Sequence, residues 1–250
     1  MKDSANEHEA EHHPHAIQAR LLEPRRSSYL GDAVLGGIDG CVTTFAVVAA
    51  AIGAGFSGMV VIILGVANLF ADGLSMAVSN YLGTRSQHEE LEQARREEER
   101  HIKEFPEGER EEIRQIFAAK GFSGDTLERI VDTVTKNREL WVDTMLKEEL
   151  GLHLEARSPL GAGLSTFVAF VVVGLVPLVP FLIPSLVAEN QRFLISSVAT
   201  GVAFAAVGIA KGTVLKRSLL LSGAQTLLIG GAAAVVAFLV GTWLRRIYGV

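Results

Sequence analysis

Cysteine is nearly absent from this chain of 250 residues, in which Cys41 is the only one. A single cysteine cannot form an intramolecular disulfide, so the cysteine content does not reveal the redox compartment. Several enzyme motifs are also missing: there is no Gly-rich phosphate loop, CxxC pair, HExxH or nucleophile elbow. A basic stripe is lacking too. With 23 Lys and Arg against 28 Asp and Glu, the net charge of −5 argues against nucleic acid as a partner.

Charge is missing from several long segments, although the mean hydropathy of the chain is only +0.31. Of the 51 Asp, Glu, Lys and Arg residues, 32 lie between Thr84 and Ser158. Ala33–Ala71 carries only Asp39, and three further segments carry no charge at all: Pro159–Ala188, Phe193–Ala210 and Ser218–Leu244. Uncharged apolar spans of 18 or more residues are long enough to cross a bilayer. The composition therefore excludes an ordinary soluble enzyme and predicts a multi-pass integral membrane protein.

Five membrane helices fit these segments. The first apolar stretch is too long for one crossing, and Gly53, Gly55 and Gly58 mark a turn near its middle. The predicted helices are Tyr29–Ala54, Phe56–Gly83, Pro159–Pro184, Gln191–Lys211 and Ser218–Tyr248. The predicted fold is all-α, with five transmembrane helices and a cytoplasmic helical metal-binding domain inserted between helices 2 and 3. The predicted segments are an N-terminal tail at 1–28, the first two membrane helices at 29–83, the metal-binding domain at 84–158 and the last three membrane helices at 159–250.

Basic residues set the expected orientation. Arg20, Arg25 and Arg26 precede the first helix, and Lys211, Lys216 and Arg217 separate the fourth from the fifth. The positive-inside rule places both groups, and residues 84–158 with them, in the cytoplasm. The N-terminal segment is too long and too acidic for a signal peptide, and we expect it to be disordered. Its four histidines, His8, His12, His13 and His15, either capture metal weakly or are accidental in a tail.

The charged segment is helical by pattern. Arg85–Phe105 contains neither Gly nor Pro and follows the second membrane helix without a break, so that helix should continue as a stalk until Pro106. Three shorter helices are predicted after it, at Glu109–Lys120, Asp125–Thr135 and Glu139–Leu150.

Two carboxylates lie near mid-membrane in this scheme. Asp39 in the first helix and Asp72 in the second are both about 15 Å from the cytoplasmic side, at 1.5 Å per residue. Around Asp72, polar side chains recur every fourth residue, at Asn68, Met76 and Asn80. Carboxylates, an amide and a thioether at one depth indicate a path for divalent cations and protons. The alternative is a pair of neutral Asp residues that only hold the helices together.

Helical spacing also groups side chains in the charged segment. Glu98 and His101 share a face, as do Glu109 and Glu112, and as do Met145 and Glu149. Carboxylate, imidazole and thioether ligands suit iron or manganese better than calcium. A solvated acidic face is the alternative reading.

Three stretches of the sequence resemble the vacuolar iron transporter family. They are Asp39-Gly40 with Thr43–Ala46, then Ala71–Met76 with Tyr81–Thr84, and finally Trp141–Leu152. The resemblance covers nearly the whole chain from Tyr29 and includes the five-helix plan with its large insert. It points to a bacterial-type member of a family whose known members are homodimers that move ferrous iron, and often manganese, out of the cytoplasm in exchange for protons.

The resemblance also assigns residues. Asp39 and Met76 match the translocation path of the family. The residues that match its cytoplasmic metal site are Glu98, Glu109, Glu112, Met145 and Glu149. Asn68 stands where plant transporters have a path glutamate, which Asp72 is expected to replace. His101 replaces a Glu and keeps a ligand at that position, and Leu146 replaces a methionine ligand.

These observations predict a dimeric antiporter of Fe²⁺ or Mn²⁺ and protons in the lipid bilayer, with no permanent cofactor and no enzymatic activity. Small residues for close helix packing at a dimer seam are Ser75, Ser79, Gly208 and Gly212. One rival is a membrane-anchored ferritin-like ferroxidase, since Glu98-x-x-His101 is half of a di-iron signature. Its other half would have to be the Glu9/His12 pair of the tail. The second rival is a metal sensor or scaffold that transports nothing.

Overall fold

The computed structural model describes residues 13–22, 28–154, 157–183, 185, 187–214 and 218–249. All regular structure among these residues is helical, as predicted. The helices are α1 (Pro14–Leu22), α2 (Leu30–Gly53), α3 (Gly58–Glu104), α4 (Pro106–Ala119), α5 (Gly124–Lys136), α6 (Arg138–Glu148), α7 (Pro159–Gly174), α8 (Val179–Leu182), α9 (Arg192–Val214) and α10 (Leu219–Tyr248). Short 3₁₀ turns at Val176–Leu178 and Glu189–Gln191 precede α8 and α9.

Five stretches of the described chain are long and apolar enough to cross a membrane, which confirms the predicted number. They are Leu30–Gly53, Gly58–Glu104, Pro159–Leu182, Glu189–Thr213 and Leu219–Tyr248. Their outer faces carry large exposed apolar side chains, among them Leu74, Leu164 and Leu228. Such faces are compatible with lipid, because a helix satisfies its own backbone hydrogen bonds. The chain is a multi-pass integral membrane protein.

Helix α2 lies at the centre of the membrane bundle and contacts α3, α7, α9 and α10. Its glycines permit the closest approach. A Cβ atom on Gly36 would collide with the carbonyl group of Thr166, and one on Gly40 with that of Phe170. Both positions therefore bring the backbones of α2 and α7 into contact, as small residues do in membrane helices. The side chain of Phe170 is fully buried at this contact.

Two of the small residues predicted for a dimer seam pack inside the chain instead. A Cβ atom on Gly208 would lie 2.6 Å from Cα of Gly223, and one on Gly212 would lie 3.2 Å from Cα of Leu219. Both neighbours belong to α10, so these glycines of α9 let the last two spans pack closely. The prediction that Gly208 and Gly212 lie at a dimer seam is wrong. A glycine stripe marks close packing without saying whether the neighbour is the same chain.

Helix α3 is a single helix of 47 residues, about 70 Å long at 1.5 Å per residue. It crosses the membrane and continues as the predicted stalk, because Arg85–Glu104 contains neither Gly nor Pro. Phe105 ends it, and Pro106 begins α4 three residues earlier than the pattern predicted. Proline suits the first position of a helix, where its missing N–H would have no partner anyway.

Helices α4, α5 and α6 pack on the stalk around a separate hydrophobic core. We call residues 84–158 the insert. Its core includes Ile102 of the stalk, Ile113 of α4, Val131 of α5 and Val142 of α6, all buried. The polar outer surfaces carry ion pairs such as Arg110 with Asp132 and Lys120 with Glu148.

The N-terminal segment contains α1, a helix of nine residues. Residues 1–12 and 23–27 lie outside the described part of the chain, so the predicted disorder of residues 1–28 stays a prediction. His8 and His12, two of the four N-terminal histidines, lie within the undescribed residues 1–12.

Candidate metal sites

The insert brings three potential ligands together where the stalk meets α4. We call these residues, Glu98, His101 and Glu109, the insert cluster. Glu98 and His101 lie one turn apart on the stalk, and Glu109 lies on the first turns of α4. One ligand atom from each of the three lies within 4.8 Å of the other two. His101 Nδ1 and Glu109 Oε1 are 3.7 Å apart. The turn at Phe105–Pro106 creates this cluster, because it folds α4 back against the stalk.

Both carboxylates of the cluster are buried. Glu98 is 5% exposed and Glu109 is 6% exposed, and Oε2 of each has no hydrogen-bond partner among the described residues. An unpartnered buried carboxylate oxygen is unfavourable and calls for an explanation such as a bound ion. Two carboxylates and an imidazole form a ligand set suited to a divalent transition metal. A merely solvated acidic face, the alternative reading of the sequence, would not bury these oxygens.

The pKa values indicate which further carboxylates adjoin the cluster. Burial raises the pKa of Glu109 to about 7, with smaller contributions from the charges of Glu112 and Glu98. Burial also raises the pKa of Glu98 and of Glu149, and Glu112 adds to both shifts. Glu112 and Glu149 thus lie within electrostatic reach of the cluster. Five of the predicted ligands are near one another in the insert.

Metal binding to the insert should weaken on acidification. The Glu109 carboxyl, with a pKa of about 7, must lose its proton before it can bind a cation. Below pH 7 we expect the Mn²⁺ affinity of the purified protein to fall up to about tenfold per pH unit, since one proton is released per ion. Isothermal titration between pH 6 and 8 measures this slope. A flat profile would mean that Glu109 does not bind the ion.

The stability of the metal-free protein should fall as the pH rises, whereas its metal affinity should increase. A carboxyl whose pKa is higher in the folded than in the unfolded chain contributes stability that is full below the unfolded pKa, about 4.3 for Glu. That contribution is lost as the pH rises through about 7, the folded pKa of Glu109. Thermal unfolding at pH 6 and pH 8 should therefore show a less stable insert at pH 8, with Mn²⁺ restoring the difference.

Met145 has a different environment from the carboxylates. It is fully buried in the core of the insert beside Leu146, among apolar side chains. The same helix ends next to Glu149, whose backbone N–H donates to the Met145 carbonyl oxygen. Met145 therefore packs the core that supports the cluster. Its role as a ligand stays a prediction.

Within the membrane, α2 and α3 are joined by a polar contact near Asp39. The Asn68 amide donates to Oγ1 of Thr43 at 3.4 Å, and that hydroxyl donates to the Asp39 carbonyl oxygen at 2.9 Å. Asp39 is partly buried, and the charges of Asp39 and Asp72 are close enough to interact. The structure thus brings Asp39, Asn68 and Asp72 together on two neighbouring helices. Their role as a path for the ion stays a prediction.

The polar stripe of α3 divides between two surroundings. Asp72 is exposed and lines an open groove of about 680 Å³ between α2, α3 and α10, together with Asn68. Met76 is partly buried and packs against the hydrophobic core of the membrane bundle. The drift of an α-helix relative to a four-residue repeat accounts for this division, since every fourth position rotates by about 40°.

Asn80, the last residue of the stripe, belongs to a buried network that the sequence analysis missed. Its amide donates to Oδ1 of Asp32 at 3.0 Å and to Oγ1 of Thr166 at 2.7 Å. The second oxygen of Asp32 accepts from Arg157 at 3.0 Å. Asp32 is only 6% exposed, so α2, α3, α7 and the end of the insert meet at one carboxylate. One feature of the sequence pointed to Asp32: it precedes Asp39 by seven residues and so lies on the same helix face.

Replacing Asp32 by Asn should destabilise the protein. The change leaves Arg157 without its carboxylate, and losing a charged hydrogen bond costs about 1–3 kcal/mol. We expect the lower end of that range, because the Arg157 side chain is 38% exposed and can turn to water. Thermal unfolding of purified protein measures the effect. Glu89→Gln, which removes an exposed ion pair with Arg85, is the matched control and should change little.

Comparison with known proteins assigns the chain to a family. Residues 30–242, which include the Glu98, His101 and Glu109 cluster and the polar residues of the membrane helices, match the model of the VIT family. This chain belongs to the VIT family. It is 33% identical over 231 residues to the vacuolar iron transporter of Toxoplasma gondii, covering 89% of this chain and 76% of that protein. It is 31% identical over 209 residues to vacuolar iron transporter 1 of Arabidopsis thaliana, covering 83% and 82%.

A further relative matches almost end to end. Vacuolar iron transporter 1 of Oryza sativa subsp. japonica is 28% identical over 242 residues, which cover 95% of this chain and 92% of that protein. The family predicted from the sequence is therefore confirmed. Membership in the VIT family also confirms that the chain is not an enzyme.

Proposed function

We propose that this VIT family protein is an Fe²⁺ transporter that exports the ion from the cytoplasm in exchange for protons, with Mn²⁺ as a second substrate. The observation that carries the proposal is the cluster of Glu98, His101 and Glu109, in which two buried carboxylate oxygens have no described partner. The printed names of the relatives, which are vacuolar iron transporters, support iron as the cargo. A bacterial-type member of the family is part of the proposal.

The insert would gather the ion first. Its ligands combine two buried carboxylates with an imidazole, and Glu112 and Glu149 add negative charge nearby. Hard oxygen and borderline nitrogen donors suit Fe²⁺ and Mn²⁺. The proposal places this cluster in the cytoplasm, because the basic residues near the N-terminus and between α9 and α10 fall on the same side as the insert.

Asp39 and Asp72 would then carry the ion across the membrane, with Asn68 and Met76 as neutral donors. Two carboxylates that interact electrostatically can hold one divalent cation or two protons with equal charge balance. Protonation from the far side would therefore release the metal, and the aspartates would return protons to the cytoplasm. This exchange avoids leaving unpaired charge at membrane depth, which costs about 2.5–3.5 kcal/mol per residue.

A homodimer is part of the proposal. Asp72, Ser75 and Ser79 are exposed on one face of α3 within the membrane, spaced as i, i+3 and i+7. An ionisable side chain rarely faces lipid, so a second copy of the chain is the expected cover. A cysteine introduced as Ser79→Cys, in a Cys41→Ala background, should form a disulfide-linked dimer on oxidation in membranes. Leu164→Cys, exposed on α7, is the control and should stay monomeric on the gel.

The experiment that tests transport uses proteoliposomes with an acidic lumen and dyes for lumenal metal and pH. We expect added Fe²⁺ to accumulate inside while the lumen becomes more alkaline, and Mn²⁺ to compete. Metal uptake without a pH change would contradict proton exchange but keep a transporter. Bound metal with no uptake would favour the sensor or scaffold, which gives Asp39 and Asp72 no role.

The ferroxidase rival is opposed by family membership. Its di-iron reading needs a second Glu-x-x-His, and the Glu9/His12 pair lies outside the described residues. Consumption of dissolved oxygen that depends on the protein, on addition of Fe²⁺, would support the ferroxidase instead.

A further inference from the structure

A second groove runs along the outside of the membrane bundle, between α2, α7 and α9. We call it the lateral groove. Its volume is about 640 Å³, and α3, which carries the proposed dimer face, contributes none of the described residues that line it. Small residues on the facing helices leave this space open: Ala33, Gly37, Gly161, Ser165, Ala169 and Ala210. The lateral groove is therefore separate from the groove that contains Asp72.

The lateral groove has about the length of one membrane leaflet. Its lining on α7 extends from Gly161 to Val173, about 18 Å along the helix at 1.5 Å per residue. Half of the hydrocarbon core of a bilayer is about 15 Å thick. Tyr29 lies at the end near the start of α7, where a Cβ atom on Gly161 would lie 2.6 Å from its ring. The lateral groove thus spans the leaflet on the side of the insert.

The walls of the lateral groove offer apolar contacts. Leu164, Val168 and Val172 of α7 line it at every fourth residue and are each at least half exposed. The two polar side chains among the described lining residues are already hydrogen-bonded. The Ser165 hydroxyl donates to the Tyr29 carbonyl oxygen at 3.1 Å, and the Tyr29 hydroxyl accepts from the backbone N–H of residue 158 at 3.2 Å. An acyl chain suits such walls, because nothing polar in them needs a partner.

A positive charge lies at the mouth of the lateral groove. Lys211 follows Ala210 and lies one turn after Val207, which both line the groove, so helical spacing places it on the same side of α9. Lys211 is only half-buried. Asp32, the acidic residue of α2 at this end, is already paired with Arg157 at 3.0 Å. The mouth therefore presents a basic side chain beside an apolar channel.

The sequence adds positive charge at the same membrane surface. Arg25 and Arg26 closely precede the groove residue Tyr29, and Lys216 and Arg217 closely follow α9. These four basic residues lie outside the described part of the chain and are not part of the proposed site. Their charge still favours an anionic over a zwitterionic lipid at this surface, since juxtamembrane basic residues attract anionic headgroups.

From the shape, the apolar walls and the basic mouth we infer that the lateral groove binds an anionic phospholipid, with one acyl chain along α7 and the phosphate beside Lys211. The long side chain of a lysine near the end of a membrane helix reaches the interface, where its ammonium group can meet a headgroup. A second copy of the chain is a poorer occupant, because two-fold symmetry would bring two basic mouths together. The inference concerns lipid binding and does not rest on the proposed transport.

The first test compares lipids by native mass spectrometry on the full-length protein, delipidated in detergent. We expect one added phosphatidylglycerol to bind more tightly than phosphatidylcholine. Lys211→Gln should lower the affinity for phosphatidylglycerol about fivefold, as expected for one basic residue near a membrane surface, and leave that for phosphatidylcholine unchanged. Arg246→Gln is the matched control, because it removes an exposed basic residue at the opposite end of the bundle.

A second pair of variants tests the groove itself. Val172→Trp places an indole in the lateral groove at a position that is 61% exposed, so the fold should tolerate it. Val236→Trp on α10 is the control, because Val236 is 60% exposed and lies outside the groove. We expect Val172→Trp to weaken phosphatidylglycerol binding several-fold and Val236→Trp to leave it unchanged.

Four results would overturn the proposal. Equal affinity of the unmodified protein for both lipids would remove the anionic headgroup. Equal losses in Lys211→Gln and Arg246→Gln would mean that basic residues attract lipid without a site. Unchanged binding in Val172→Trp would place the lipid elsewhere. Loss of a dimer mass in Val172→Trp alone would make the groove a contact between copies. None of these measurements needs metal, so failure of transport leaves them unaffected.

Discussion

Replacing Asp39 by Ala is expected to abolish metal transport while metal binding to the insert stays intact. The Asp39 carbonyl oxygen accepts from the Thr43 hydroxyl, which joins α2 to Asn68 of α3, and the Asp39 side chain lies within electrostatic reach of Asp72. Removing a charged ligand from the middle of the path leaves the cation without compensation in the membrane. Fe²⁺ uptake into proteoliposomes should fall more than about a hundredfold, beyond the loss typical of groups that only support a ligand.

Two further variants make this prediction specific. Asp39→Asn keeps the size of the side chain and removes the charge, so it should transport as poorly as the Ala variant. Thr44→Val lies five residues further along α2, and its buried hydroxyl has no partner among the described residues. That variant should fold and transport normally. Equal losses of uptake and of Mn²⁺ binding in Asp39→Ala would contradict the separation of the two sites.

The second large effect is expected from Glu98→Gln combined with Glu109→Gln. These changes remove both buried carboxylates of the insert cluster and leave His101 alone. Mn²⁺ affinity, measured by isothermal titration on the purified chain, should fall by more than about a hundredfold. Transport should be slowed at low Fe²⁺ concentration and recover when the metal is raised, because the membrane path remains.

The neighbouring carboxylates provide the control for this pair. Glu97 and Glu107 are exposed, adjacent to Glu98 and close to Glu109 in sequence, and carry the same charge. Their double change to Gln alters the net charge of the insert equally and should leave affinity within about twofold, as expected for screened surface charges. Equal losses in both double variants would mean that the insert attracts metal only through its overall charge.

The membrane spans were predictable because their signal is local. Long uncharged runs and the absence of a breaker between Arg85 and Glu104 were enough to predict five spans and a continuous α3. Glu98 and His101 were likewise placed on one face by helical spacing. Predicting that Glu109 joins them required only that the chain reverse direction at Pro106.

Contacts between distant segments were not predictable in this way. Asp32 and Arg157 are 125 positions apart, and neither position has a pattern that identifies its partner. The packing partner of Gly208 was misassigned for a related reason, since a small residue indicates a close neighbour but not which one. Met145 matched a ligand position by resemblance, yet its complete burial in the insert core depends on how α4, α5 and α6 assemble.

The length of α3 has a mechanical consequence. Asn80 is held by hydrogen bonds to Asp32 and Thr166, so it can act as a fulcrum, with Met76 on the short arm and Glu98 on the long arm. Glu98 lies about 27 Å from Asn80 along the helix, at 1.5 Å per residue. A tilt of about 5° would therefore move Glu98 by roughly 2 Å and Met76 by roughly 0.5 Å. Any tilt of α3 about Asn80 would thus displace the insert more than about four times as far as Met76 in the membrane bundle.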